Sequence, residues 1–177
     1  MLVAEVYLVK PSIKYKAEYL DMIDEWKNSG EKVTPWVLNF DTSNFLAFIE
    51  KLEELSKGIG ISPNFVESST YWLVDENNRV LGAANIRHRL NESLLDRGGH
   101  IGYGIRPSAR RKGFATELLR QALMIVNDRG INDVLITCDK YNIGSARTII
   151  KNRGILESEG MHDDVVFQRY WVNLNKQ

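Results

Sequence analysis

Apolar positions recur with two different periods, and the change comes near residue 70. Before it, Val3-Ala4-Glu5-Val6-Tyr7-Leu8-Val9 reads as a first strand closed by Pro11. Ser12 is placed to cap a helix running to about Asn28, with Tyr15, Tyr19, Met22, Ile23 and Trp26 at helical spacing. Ser29-Gly30 ends it. A second helix begins at Ser43 and repeats Phe45, Phe48, Ile49, Leu52 and Leu55 on one face before Gly58. Ile59 to Ser69 holds Gly60 and Pro63 and is expected to be an ordered loop.

From Thr70 the pattern shortens. Thr70-Tyr71-Trp72-Leu73-Val74 is a strand, Asp75-Glu76-Asn77-Asn78 has turn chemistry, and Arg79 to Arg87 returns as a second strand of a hairpin. Leu90 to Gly99 is a longer connection to a strand over His100 to Arg106. A helix is expected from about Gly113 to Arg129, where Phe114, Leu118, Leu119, Ala122, Leu123 and Val126 form one stripe. Val134-Leu135-Ile136-Thr137-Cys138 is the most continuously apolar strand and is expected to be central. Asn142 to Asn152 is a short helix; Ile155 to Ser158 and Val165 to Val172 close the chain as a hairpin around Gly160-Met161-His162-Asp163. The order β-α-α-β-β-β-α-β-α-β-β predicts an α/β (α+β) domain, a mixed, largely antiparallel sheet flanked by helices. No repeat or linker divides the 177 residues, so one domain spans residues 1–177.

Composition narrows the function. Lys plus Arg and Asp plus Glu are both 23, so no global charge attracts nucleic acid or an anionic membrane. The basic residues that do cluster lie in Arg106-Pro107-Ser108-Ala109-Arg110-Arg111-Lys112 and suit a small anion better than a polyanion. With Cys138 alone, neither an internal disulfide nor a cysteine-based zinc site can form. His162 with Asp163 and Asp164 lies in one turn and converges on no ion, so no metal is expected. The start of the chain lacks a secretory pattern, and no stretch approaches the ~20 apolar residues of a membrane span, so a cytoplasmic protein is expected.

The chemistry is concentrated in Ile101 to Thr116. A strand stops at Pro107, a basic loop follows, and a helix starts at small residues. The first turn of a helix presents N–H groups with no intrahelical partner, and its dipole adds partial positive charge. A pyrophosphate fits there if the backbone comes close; Gly113 has no Cβ to block it, and Ala115 is nearly as small. Neither the G-x-x-x-x-G-K-[ST] loop nor a G-x-G-x-x-G with a trailing acid occurs, which argues against ATP and dinucleotides.

Arg110-x-x-Gly113-x-Ala115 resembles the [Q/R]-x-x-G-x-[G/A] pyrophosphate loop of the GNAT acetyltransferases. Ile105-x-Pro107 is similar to the end of that family's fourth strand. Asp139-Lys140-Tyr141-Asn142-x-x-Ser145-Ala146 is similar to the junction of its fifth strand and next helix. The element order agrees over nearly the whole chain. His100 to Ala115 and Ile149-Ile150-Lys151-Asn152 more loosely resemble a bacterial branch known mainly as predicted acetyltransferases. The resemblance implies acetyl-CoA as acyl donor. Tyr103, Gly104 and Ile105 would meet the pantetheine arm through their backbone. Arg110, Arg111, Lys112, Gly113, Phe114, Ala115 and Thr116 would hold the pyrophosphate, and Asn142 would bond near the thioester. Strand N–H groups would polarise the acetyl carbonyl.

Many members place a tyrosine seven residues after that asparagine as proton donor to the leaving thiolate; here the position is Ile149. Tyr141 and Tyr103 are the substitutes, with solvent as the third route. A base is needed because an ammonium has no lone pair, and histidine suits the role. His100 and His88 lie at the facing ends of neighbouring strands, His100 on the face of Gly102 and Gly104 unless a β-bulge intervenes. The expected activity is acetyl transfer to a primary amine, a small molecule or a peptide, in a ternary complex. The alternative is a CoA or acyl-CoA-binding module without turnover. A homodimer is compatible with the fold.

Overall fold

The computed structural model describes residues 4–175. Val3, the start of the expected first strand, lies outside them. β1 (Val6–Val9), β2 (Ser68–Asp75), β3 (Val80–Arg87) and β4 (Ile101–Ile105) form one antiparallel sheet in that order. β5 (Asp133–Asp139), β6 (Ile155–His162) and β7 (Val165–Asn173) form a second, ordered β5-β7-β6. The two touch at a bridge between Gly99 and Ile136. The expected single sheet is therefore split. The apolar strand expected at its centre, β5, lies instead at the seam, with β7 central to its own sheet.

Ser12 caps a 3-10 turn over Ile13–Tyr15 by accepting from the Lys14 N–H, and α1 (Lys16–Asn28) follows directly. α2 (Phe45–Ser56) is capped by Asn44 rather than Ser43, because the Asn44 carboxamide accepts from the Ala47 N–H. Both helices cover one face of the first sheet. Tyr19, stacked on Trp72 at 4.4 Å between centroids, packs there with Met22, Phe45 and Phe48. The opposite face meets α4 (Phe114–Asp128), whose Leu118, Leu119, Ala122 and Val126 are completely buried. The core around α4 also takes in Val134, Ile136 and Tyr170 from the second sheet, which ties the halves together.

Three local features escaped the pattern. The connection before β4 contains a short helix, α3 (Glu92–Asp96), capped by Asn91. The closing hairpin turns at Asp163-Asp164, both with positive φ, so its strands are longer than expected and Gly160 to His162 belong to β6. No bulge alters the parity of β4, since β3 and β4 pair without a shift from Gly82/Ile105 to Ile86/Ile101; register shifts lie between Leu73 and Val74 of β2 and between Leu156 and Ser158 of β6.

Arg106 was grouped with the cations offered to an anion, but only 1% of it is exposed. Its Nε donates to Glu25 at 2.7 Å, its Nη2 pairs with Asp21, and its Nη1 reaches the Val80 carbonyl. The residue pins α1 to the end of β4. Removing one partner of such a pair strands the others. Asp21 is exposed and can re-solvate, so Arg106→Met is expected to cost ~3 kcal/mol in urea unfolding, at the lower end of the range for a broken buried pair.

Candidate active site

Between β4, the loop after α1 and α5 (Ile143–Lys151) lies a cleft of about 610 Å³. Its location follows from hydrogen bonding. Arg87 N–H donates to the His100 carbonyl and Arg106 N–H to the Leu81 carbonyl. In an antiparallel ladder, bonded and non-bonded residues alternate. Gly102 and Gly104 therefore spend their main-chain groups on β3, and Ile101, Tyr103 and Ile105 turn theirs to the open edge. This corrects one expectation: Gly104 offers the cleft no amide. Its contribution is the missing side chain, since a Cβ there would lie 2.4 Å from the Thr34 carbonyl oxygen and 2.6 Å from Trp26.

At one end of the cleft is the start of α4. Gly113, its N-cap, has φ 85° and no side-chain capping bond. The first N–H groups, through Ala115 and Thr116, thus have no intrahelical or side-chain acceptor and face an approach that a Cβ at Gly113 would leave clear by 4 Å. Arg111 also adopts positive φ, 61°, which turns the loop tightly around this point. An anion is the ligand that such a terminus favours.

The expected cofactor residues divide on this geometry. Tyr103, Gly104, Ile105, Arg110 and Arg111 line the cleft from the strand and loop, and Gly113, Ala115, Thr116 and Asn142 from the two helix starts. The side chains of Lys112 and Phe114 do not. Lys112 Nζ donates to the Ser108 carbonyl, and Phe114 packs against the core around α4. Arg110 is partly committed: it pairs with Glu31, lies 5.5 Å from the Trp26 ring centre and donates Nε to the Ile105 carbonyl. Asn142 Oδ1 caps α5 through the Ser145 N–H at 3.1 Å, which leaves its amide nitrogen as the donor for a ligand. Lys32, Thr34, Ser145, Arg147, Thr148 and Lys151 are also among the lining. Sequence spacing did not single these out; Ser145 and Thr148, one helical turn apart on α5, are the pair a helical-face reading would have found.

A larger groove of about 840 Å³ runs outside, along β1 and the exposed side of α4. It is shallower and is not lined by the free edge of β4, so the chemistry belongs to the smaller cleft.

The residues named for proton transfer have different fates. Tyr141 is 82% exposed and does not line the cleft. Tyr103 does, and its hydroxyl lies 2.9 Å from Ser145 Oγ. Burial raises its pKa, so the phenol keeps its proton at neutral pH. Ile149 is fully buried, in the core.

His100 Nδ1 accepts the Leu135 N–H at 3.0 Å, while the main-chain N–H of His100 donates to the Leu135 carbonyl. The ring thus substitutes for a rung between the sheets. Its accepting nitrogen is occupied and the other carries the proton, which leaves no lone pair for a base. Burial, reinforced by Arg87, pushes its pKa down to about 4. His88 Nε2 lies 2.8 Å from Ser69 Oγ, to which Arg129 also donates, and it does not line the cleft. Burial and then Arg129 depress its pKa. The two imidazoles do not converge: each completes a separate structural network.

The His100 shift has a consequence for stability. Between pH 6.5 and 4 the unfolded chain binds a proton at this site that the folded chain refuses. Stability is therefore expected to fall as pH drops through that window, by up to ~3 kcal/mol from this group. Urea unfolding across the window would check it; His100→Asn should flatten that part of the profile.

Among the described residues no cluster of three His, Cys, Asp or Glu could hold a metal. No helix among them is long and apolar enough to cross a membrane.

No curated protein matches the sequence. Among solved structures the chain is similar to the yncA protein of Salmonella typhimurium with its cofactor acetyl-CoA, at 14% identity over 99% of this chain and 96% of that one, TM-score 0.64. It is similar to RimL, a ribosomal L7/L12 alpha-N-protein acetyltransferase in complex with coenzyme A, at 15% identity over 97% and 96%, TM-score 0.70. It is also similar to MccE, the microcin C7 self immunity acetyltransferase in complex with acetyl-CoA and AMP, at 17% over 96% and 92%, TM-score 0.67. At these identities the likeness is one of fold. The family model for the acetyltransferase (GNAT) domain matches residues 12–154, which take in both helices over the first sheet, the cleft and α5. By that match the chain belongs to the GNAT acetyltransferases and is an acyltransferase.

Proposed function

We propose that the protein transfers the acetyl group of acetyl-CoA to an amine by direct attack within the cleft. One observation carries the reading: a single cavity joins the uncapped start of α4 to the edge of β4 that faces away from β3. That pairing suits a ligand with a pyrophosphate at one end and an extended amide-bearing arm at the other. The yncA, MccE and RimL structures contain acetyl-CoA or CoA, which supports this choice of ligand.

In this reading the first-turn N–H groups from Gly113 to Thr116 bind the pyrophosphate, with Arg111 adding charge at the rim. The arm runs back along β4, toward its N-terminal end. The outward N–H of Ile105 and the outward main-chain groups of Tyr103 hold it as a neighbouring strand would. An outward N–H at the far end polarises the thioester carbonyl and stabilises the tetrahedral oxyanion. Tyr103 acts as the acid, giving its proton to the departing thiolate, and the Ser145 hydroxyl holds the phenol in place. The amine loses its proton to water in the open mouth, since both histidines are bonded elsewhere.

Thiol release from acetyl-CoA with a panel of amine acceptors tests the activity. Tyr103→Phe is expected to lower kcat about 100-fold, at the low end for loss of an acid catalyst, with little change in the KM for acetyl-CoA. An unchanged kcat would assign the proton to solvent.

A further inference from the structure

Most guanidinium groups around the cleft end are matched to a carboxylate: Arg89 to Glu67, Arg97 to Asp139, Arg106 to Glu25, Arg110 to Glu31, Arg169 to Asp96. Arg87, the last residue of β3, is not; it makes no ion pair among the described residues. Its side chain is largely buried, and among the described residues its hydrogen bonds run only from Nη1 to the carbonyls of Gly98 and Gly99, at 3.2 and 3.4 Å. Nε and Nη2 are left over from a group with five donors. Desolvating a cation without a counter-charge is costly, so such a group needs an anion to offset it.

Its position gives the anion a role. A Cβ at Gly102 would lie 3.2 Å from Arg87 Nη2 and 3.4 Å from Pro35. The guanidinium and the loop after α1 therefore flank the bare backbone of Gly102, between the two outward-facing residues where the thioester end is placed above. Next to Pro35, Trp36 lies 5.3 Å from Phe65 between ring centres, and the two are 37% and 48% exposed. The unpaired cation and, one residue along the chain from Pro35, an exposed aromatic pair suit an anionic group on an acceptor that also carries an apolar part.

We propose that Arg87 anchors an anionic group, carboxylate or phosphate, of the acceptor amine and so sets which amines reach the thioester. This rests on the acetyl-transfer reading. The fork of a guanidinium takes either anion through two parallel hydrogen bonds. The same charge disfavours the ammonium form of the acceptor, which helps an amine that has no histidine base.

The test is calorimetric titration of the CoA-saturated full chain with phenylacetate, phenyl phosphate and uncharged phenylacetamide. One anion is expected to bind at least ~10-fold more tightly than the amide, the scale of a charge-assisted pair. Which of the two binds better identifies the source of the charge. Arg87→Met should erase that preference while leaving CoA affinity unchanged, and Arg87→Lys should restore part of it. No preference in the native chain, a preference that survives Arg87→Met, or an equal loss for all three probes would overturn the anchor. If CoA itself does not bind, the acetyl-transfer reading fails and takes the anchor with it; CoA binding without anion preference overturns the anchor alone.

Discussion

Gly113→Glu is expected to weaken acetyl-CoA binding at least 100-fold, measured by calorimetry. Gly113 caps α4 at φ 85°, and nothing lies within 4 Å of where its Cβ would stand. A glutamate there finds space and aims its carboxylate at the N–H groups that the pyrophosphate needs. It repels the ligand and competes with it. The hundredfold loss corresponds to about 2.7 kcal/mol, of the order of charge-assisted hydrogen bonds exchanged for repulsion. Part of any effect would come from backbone strain, since a left-handed conformation costs an ordinary residue roughly 1–2 kcal/mol. Gly113→Asn separates the two, because asparagine tolerates that conformation and carries no charge. It should bind acetyl-CoA within about tenfold of the native chain. If the glutamate variant binds equally well, the pyrophosphate is not held at this loop.

Gly104→Ala should reduce folding stability by ~3 kcal/mol, the upper end for overpacking, and weaken acetyl-CoA binding with it. The added methyl would stand 2.4 Å from the Thr34 carbonyl oxygen and 2.6 Å from Trp26. Neither neighbour yields easily. One is backbone, and Trp26 is 2% exposed. Both line the cleft, so relief of the clash would push its wall outward. Gly102→Ala is the comparison, with nearest atoms at 3.2 to 3.4 Å, and it should cost about 1 kcal/mol or less. Urea unfolding of the two variants gives the difference directly. Equal stability would mean that the loop after α1 packs more loosely on β4 than the distances require.

The apolar period marked both early helices, the hairpin of β2 and β3, and α4, because an amphipathic element carries its buried face in its own spacing. The short helix at Glu92–Asp96 was missed: none of its five residues is buried, so it has no apolar face to detect. The centre of the sheet was misplaced for a related reason. β5 is apolar on both sides because Val134 and Ile136 join the core around α4 and Leu135 between them is fully buried too, and hydrophobicity reports burial, not strand order.

At the site the same division appears residue by residue. The Gly113 loop was legible because an uncapped helix start and a glycine are adjacent in the chain. Which cations are free was not legible. Arg106 lies in the same basic run as Arg111, yet its partners, Asp21 and Glu25, are 85 and 81 residues away. His100 reads as a base until the Leu135 amide, 35 residues on, is seen to occupy its lone pair. The lack of an ion pair at Arg87, next to His88 in the chain, likewise emerged only from the fold. Local stretches thus determined the elements, the phosphate loop and the family, since these depend on neighbours in the chain. Tertiary structure decided which polar side chains remain available for chemistry, because a hydrogen bond is consumed by whatever the fold brings within about 3 Å, however distant in sequence.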